Sequence, residues 1–424
     1  MMVSVPRVLL VVPSTTYRAA DFLQAAATLG IDVAVATDAA LAFKDPLGDQ
    51  TRSVKVCLED LEGAGKAIAE FARRFPVDAV LAVDDRAGAV ANAAASLLGL
   101  PHNPLEALVA SRDKVAMRIA CARAGVGQPG FEVVRPGDDV STIAGALGLP
   151  CVVKPAMLSA SRGVIRVDRA EDVPRTVERV RKILSSAGED PSGPVLVERF
   201  VPGAEIAIDG ILDQGSFVTV AIFDKPDPLD GPYFEETIYV TPSRLELCVQ
   251  KRAIEVAHLA AIALGLSHGP VHAELRISAG KPYFIELAAR SIGGLCSRSV
   301  AQGGAWTLEE LILANAIGRG VPRPGKGAIQ LASDASGVMM IPIEHSGVFE
   351  SADGIAAARA VPGVTGVTIT VHRGQPVVAL PEGDRYLGFI FARGSTPEGV
   401  ERALREAHAA LGVRITDLHS SNVE

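Results

Sequence analysis

Strand and helix alternate through the first hundred residues, and this alternation constrains the fold more than any other feature of the chain. Residues 8–12 form an apolar run ending in Pro13-Ser14-Thr15-Thr16, and a helical stretch follows to Leu29, closed by Gly30. Residues 32–36 read as a strand, 61–75 as a helix, 78–83 as a strand and 87–98 as an alanine-rich helix ending at Gly99. Such an order predicts a parallel sheet with helices on both faces. The first turn has no GxGxxG, so dinucleotide binding is not supported. Gly65-Lys66 lacks the remainder of a Walker A loop. Asp84-Asp85 stands at a strand end, either as a helix cap or as a functional pair.

The remainder of the chain alternates less regularly. Residues 100–104 are a linker, and a helix is predicted from Ser111 to Gly125 with Lys114 in its first turn. A lysine there opposes the helix dipole, which implies an anionic neighbour unless the side chain is simply solvated. Residues 151–155 are a strand with Lys154 at its end, followed by a small-residue loop, 156–164. Such a loop is either an ordinary hairpin turn or a cover that donates N–H groups to phosphates over a fixed lysine. An amphipathic helix spans 170–187, and strands span 195–201 and 204–212. Glu198 and Glu205 flank the Pro202-Gly203 connection between those strands. Residues 223–239 form a long Pro- and Asp-rich loop of the kind used as a lid. Residues 244–264 are helical, as are 306–317. From about 320 the pattern changes to an α+β unit, with strands over 329–343, 367–372, 376–380 and 386–392 and helices over 354–361 and 397–411.

The chemistry concentrates in residues 269–294, GPVHAELRISAGKPYFIELAARSIGG. Alternation over 271–278 predicts a strand, and Ala279-Gly280-Lys281 a turn. A three-residue loop pairs Ser278 with Pro282 and sets Glu274 opposite Glu286. Two facing carboxylates repel, and a hard divalent cation such as Mg²⁺ is the usual neutraliser. Arg290 shares a face with Glu286, and its guanidinium suits phosphate or carboxylate. Ser291-Ile292-Gly293-Gly294 then lets the backbone approach a ligand.

Composition sets outer limits. The 424 residues allow about three domains. A net charge of −8 argues against a general nucleic-acid binder. Cys57, Cys121, Cys151, Cys248 and Cys296 show no metal-ligand spacing and read as free thiols of a reducing cytoplasm. The apolar run 8–12 is too short for a membrane span, and no signal-peptide pattern follows it.

Several of these segments occur in an order that resembles the ATP-grasp superfamily, and in particular the carboxylate–amine ligases of the L-amino acid ligase (dipeptide synthetase) type. SRDKVAMR, VVKPAMLSASRGV, VLVERFVPGAEIAIDG, DKPDPLDGPYFEE, HGPVHAEL and FIELAARSIGG carry the resemblance over roughly residues 100–300. It implies an α/β and α+β architecture: an N-terminal parallel α/β domain at 1–103, an ATP-grasp domain at 104–318 whose subdomains (104–190 and 191–318) clamp ATP, and a small C-terminal α+β domain at 319–424. By the match, Lys114 and Lys154 contact the phosphates, and the loop with Ser159, Ser161, Arg162 and Gly163 covers them. Glu198 with the backbone at Phe200 and Val201 holds adenine, and Glu205 the ribose. Glu274 and Glu286 bind Mg²⁺, for which Mn²⁺ can substitute. Arg290, with Lys154, is catalytic, and His272, Arg290, Gly293 and Gly294 meet the substrate. Ala288 stands where many members of the superfamily have a metal-binding Asn.

The implied activity is amide formation from a carboxylate and an amine, with amino acids as substrates, through an acyl phosphate. Neither nucleic acid nor membrane is a partner, and a homodimer is plausible for the superfamily. Two alternatives accompany this reading: a bicarbonate-dependent ATP-grasp carboxylase, and an ATP-binding protein without turnover.

Overall fold

The computed structural model describes residues 5–39, 52–300, 306–321 and 334–417. The first unit carries β1 (Arg7–Val11), α1 (Ala19–Leu29), β2 (Asp32–Thr37), β3 (Ser53–Lys55), α2 (Leu61–Arg74), β4 (Ala79–Ala82) and α3 (Gly88–Leu97). Its four strands are parallel in the order β3-β2-β1-β4. Val8 and Leu10 pack on one side of the sheet and Leu9 and Val11 on the other, so both faces are covered, as apolar runs in parallel strands require. Asp84 caps the short 3₁₀ turn over Asp85–Ala87 by accepting the Arg86 N–H.

Next come α4 (Leu105–Ala110), α5 (Lys114–Arg123), β5 (Phe131–Val134), α6 (Val140–Leu147), β6 (Cys151–Pro155), β7 (Ile165–Val167), α7 (Val173–Ser186) and β8 (Val195–Arg199). The helix expected from Ser111 begins instead at Lys114. Asp113 is its N-cap, accepting from the N–H groups of Val115 and Ala116, and the backbone breaks between α4 and α5. The strands form an antiparallel sheet, β5-β8-β6-β7, with α7 packed on it through Val173, Val177, Val180 and Leu184.

The third sheet organises the molecule. It is built from β9 (Ala204–Asp213), β10 (Ser216–Lys225), β11 (Ile238–Thr241), β12 (Gly269–Ser278), β13 (Lys281–Ala288) and β14 (Ala335–Ile341), with α8 (Leu247–Ala263) and α9 (Leu308–Ala316) against it. The chain then adds β15 (Gly347–Asp353), α10 (Ile355–Ala360), β16 (Val364–Ile369), β17 (Pro376–Val377), β18 (Gly388–Gly394), α11 (Pro397–Ala409) and β19 (Gly412–Thr416). Eight strands run antiparallel in the order β13-β12-β9-β10-β11-β14-β18-β16, and β17-β15-β19 form a small separate sheet. The loop expected over 223–239 is shorter at both ends, because β10 continues to Lys225 and β11 begins at Ile238. Of the strand expected over 329–343, residues 329–333 lie outside the described residues.

The β12–β13 hairpin corrects the predicted register in an instructive way. Its turn has two residues, not three: Ser278 pairs with Lys281, and Ala279 (φ 48°) and Gly280 (φ 73°) both take left-handed backbone. That register alone would misalign the two carboxylates. A β-bulge at Ile285 adds one residue, and beyond it Glu274 faces Glu286 as expected. The bulge frees the Ile285 carbonyl, which accepts from Arg118 Nη2 at 2.7 Å.

Candidate active site

One cavity of about 730 Å³ lies where the three large sheets meet. Lys114, Lys154, Ser159, Ser161, Glu198, Phe200, Val201, Glu205, His272, Glu274, Glu286, Arg290, Gly293 and Gly294 all line it. Arg162 and Gly163 do not. Gly163 donates its N–H to the Pro381 carbonyl at 2.8 Å, and Arg162 pairs with Asp384 at 3.6 Å. The loop thus presents one side to the cavity and the other to residues 381–384. Ala160 and Ser161 hold positive φ (55° and 54°), strain of the kind found at ligand clamps.

Lys154 is the next-to-last residue of β6 and is almost wholly buried. Its Nζ lies 2.8 Å from Glu198 on β8, and the other Glu198 oxygen lies 2.5 Å from Arg118 Nε on α5. Burial favours a neutral Glu198, but Arg118 and then Lys154 outweigh it and hold the carboxyl below its ordinary range. Burial, with Arg118 adding to it, lowers Lys154 despite the pull of Glu198. Lys114 donates to the Leu158 carbonyl at 2.6 Å and pairs with Glu286 at 3.1 Å. One cation therefore ties the covering loop to the hairpin.

Sequence reasoning missed the other charge centre. Lys225, at the end of β10, is buried among three carboxylates: Glu205 at 2.8 Å, Glu274 at 3.5 Å, and Glu236 in a short contact. Burial disfavours its charge, yet these carboxylates raise its pKa well above the ordinary lysine value. Carboxylate oxygens of Glu205, Glu236 and Glu274 lie within 4.8 Å of one another. Gly203, at φ 115°, lets the Pro-Gly connection cross β12, because a Cβ there would lie 2.1 Å from the Ile277 carbonyl. That crossing delivers Glu205 to this cluster.

His272 sits between two acids. Its Nδ1 is 2.9 Å from Asp209 and its Nε2 is 3.5 Å from Glu274. Burial works against its charge, but Asp209 and then Glu274 push the imidazole up to about 9. Glu274 in turn stays well below the usual carboxylate range, since Lys225, His272 and Arg290 overcome its burial. Arg290 points back from the end of the hairpin, donating to the Ser291 carbonyl at 2.9 Å and lying 3.9 Å from Asp85. Lys225, Arg118 and Asp209 each occupy an inward position on a strand or helix, the signal that could have found them. For Lys225 it required reading β10 as a strand.

Glu274 and Glu286 face each other across the hairpin and offer the oxygen donors that a hard cation takes, while Glu205 and Glu236, close to Glu274, are already neutralised by Lys225.

Comparison with known proteins agrees with this geometry. The model of the ATP-grasp domain matches residues 147–299, that of the ATP-grasp N-terminal domain matches 23–102, and that of the L-amino acid ligase C-terminal domain 2 matches 339–416. The chain carries an ATP-grasp domain, with the ATP-grasp N-terminal domain before it and the L-amino acid ligase C-terminal domain 2 after it. This ATP-grasp protein is similar to the L-amino acid ligase from Bacillus licheniformis, with a TM-score of 0.82 and 27% identity over 97% of this chain and 99% of that one. It is 30% identical to the alanine–anticapsin ligase of Bacillus subtilis over 53% of its own length and 51% of the relative's. An uncharacterized protein of Sinorhizobium fredii is 26% identical over 86% of this chain and 75% of that one. No helix among the described residues is long and apolar enough to cross a membrane.

The segment 381–384, against which the covering loop packs, is itself held by a testable pair. On α7, Arg179 makes a bidentate pair with Glu382 at 2.8 and 3.1 Å, both side chains about two-fifths exposed. Glu382→Ala is expected to cost under about 1 kcal/mol of stability. It should nevertheless raise the KM for ATP several-fold by favouring the open loop. Steady-state kinetics over ATP concentration checks this, and an unchanged KM removes the link.

Proposed function

We propose that this protein is an ATP-dependent carboxylate–amine ligase acting on amino acids, joining them through an acyl phosphate and releasing ADP and phosphate. The observation that carries the reading is the convergence, in one cavity, of Lys114, Lys154, the Glu274–Glu286 pair and Arg290 from four separate segments. A substrate carboxylate attacks the γ-phosphorus of ATP, and the γ-phosphoryl group passes to it as ADP leaves. The amine then attacks the acyl carbon, phosphate departs with the bonding pair, and the amine loses a proton.

The residues supply alignment and charge, which is most of what phosphoryl transfer demands of a protein. In this reading Lys114 and Lys154 hold the phosphates, beneath a loop that contributes Ser159 and Ser161. The backbone at Phe200 and Val201 meets adenine, and Glu205 the ribose. Glu198 does not take the adenine role that the resemblance implies, because both of its oxygens are buried in pairs with Arg118 and Lys154; it holds Lys154 in place instead. Glu274 and Glu286 hold Mg²⁺, or Mn²⁺ in its stead, which when bound neutralises phosphate charge. Arg290 steadies the transferring group. His272, fixed by Asp209 through Nδ1, lines the cavity beside Glu274, where it meets the substrate. The division into units 1–103, 104–318 and 319–424 and a reducing, cytoplasmic setting for the five free cysteines belong to the same proposal.

The direct test measures ADP and phosphate with Mg²⁺-ATP against amino acids, singly and in pairs, with mass spectrometry of the products. Release that needs a pair, with a product lighter by one water than its parts, is the expected result. Release driven only by bicarbonate overturns it in favour of a carboxylase. Arg290→Ala is expected to lower kcat by roughly a hundredfold or more, with little change in ATP affinity. Lost ATP affinity with normal kcat would remove its role in the transition state.

A further inference from the structure

Beside Arg290 the cavity has a wall built differently from the groups assigned to nucleotide and phosphate. Tyr17 enters it from the loop after β1, Tyr386 from the loop before β18, Phe389 from the start of β18, Met340 from β14, and Cys296 from the turn after β13. Phe389 joins the aromatic rings. The Tyr17 ring lies 6.4 Å from it, tilted by 57°, and the Tyr386 ring 6.3 Å away, near edge-on. Cys296 Sγ is 3.5 Å from Met340 Sδ. Phe389, Met340 and Cys296 all belong to the apolar core beneath the site, so this wall is a face of that core. Gly294, at φ 61°, leaves room for it: a Cβ there would come within 2.9 Å of Phe389 and 3.7 Å of the Tyr17 hydroxyl.

Tyr17 itself stays 50% exposed, although Phe389 packs against it. Burial and the neighbouring Cys296 raise its phenol above the ordinary value, so the ring is neutral through the physiological range. It is an aromatic surface at a cavity, beside the arginine proposed to meet the reacting group.

We propose that this wall is the side-chain subsite for the amino acid whose carboxylate is activated, and that it selects aromatic and bulky aliphatic side chains over charged or small polar ones. The inference rests on the ligase reading. The reacting carboxylate must reach the γ-phosphoryl group between Lys154 and Arg290, so its side chain extends away from the nucleotide, onto Tyr17. An apolar side chain covers that ring and packs edge-on or offset against it. A charged one loses hydration against Phe389 and Met340, and the charges that border the wall are already paired with one another, Arg290 with Asp85 and Glu236 with Lys225.

The test uses the full chain with two readouts. The first is calorimetric binding of L-phenylalanine, L-leucine, L-serine, L-aspartate and L-lysine in the presence of Mg²⁺ and a non-hydrolysable ATP analogue. The second is ADP release for the same amino acids, each paired with a panel of amines. The expected result is a preference of at least tenfold in kcat/KM for phenylalanine or leucine. Tyr17→Ala should lose that preference through KM while the KM for ATP holds, and Tyr17→Phe should retain it. Release confined to serine, aspartate or lysine overturns the subsite and leaves the ligase standing. Phenylalanine binding without ADP release from any pair overturns the ligase and leaves the subsite. Neither binding nor release overturns both, and a preference that survives Tyr17→Ala overturns the assignment to this wall.

Discussion

Glu286→Ala is expected to lower phosphate release by roughly a thousandfold. Glu286 faces Glu274 across the hairpin and holds Lys114 at 3.1 Å, so its removal strips an oxygen from the proposed cation site and a partner from a buried lysine. Two further variants separate these effects. Glu286→Asp should keep part of the activity and shift its Mg²⁺ dependence to higher concentration, the signature of a weakened ligand. Lys114→Ala should impair ATP binding without that shift. Near-normal turnover in Glu286→Ala refutes the metal assignment. An equal loss in Lys114→Ala, with Mg²⁺ dependence unchanged in Glu286→Asp, would make Glu286 a positioning group for Lys114.

Glu198→Ala should have the largest effect on stability, about 3–5 kcal/mol, because it leaves Arg118 and Lys154 buried without their shared carboxylate. Urea titration of the free protein measures it. The folded state depresses the Glu198 pKa, so its contribution is present above the unfolded value, about 4.3, and is lost as pH falls through the folded one. The wild type should therefore weaken on acidification below about pH 4, and Glu198→Gln should weaken less steeply there. A loss under about 1 kcal/mol in Glu198→Ala would show that the two cations find other partners.

Much of the architecture was legible because it follows from short-range pattern. The parallel sheet of the first unit, the helix closed by Gly30 and the strands around Lys154 and Glu198 all declare themselves by period and punctuation. The facing of Glu274 and Glu286 was legible too, but through two errors that cancel. The two-residue turn requires Ala279 in left-handed backbone, which alanine disfavours and sequence does not announce. The bulge at Ile285 is supported by Arg118, more than 160 residues away. Partnerships of that range leave no local mark. The period of β8 turns Glu198 inward without naming Arg118 or Lys154 as its company. Lys225 was hidden for a different reason: the strand delivering it runs straight into a Pro- and Asp-rich loop, and the loop dominated the reading.

The strand β11 has a consequence for how the chain is made. It carries Tyr239 into the cavity and begins two residues after Glu236, yet it pairs with β10 at one position only, Asp224 with Val240. Four pairs, from Ile238 with Met339 to Thr241 with Ser336, join it to β14. A ribosome must therefore emit about a hundred further residues before that edge is covered. Until then a β-branched strand edge stands open beside a half-formed cavity, the kind of intermediate that chaperones attend. Synthesis that stalls before Ala335 would leave the clamp with the sequence of a nucleotide site and no wall to hold Glu236 and Tyr239 against it.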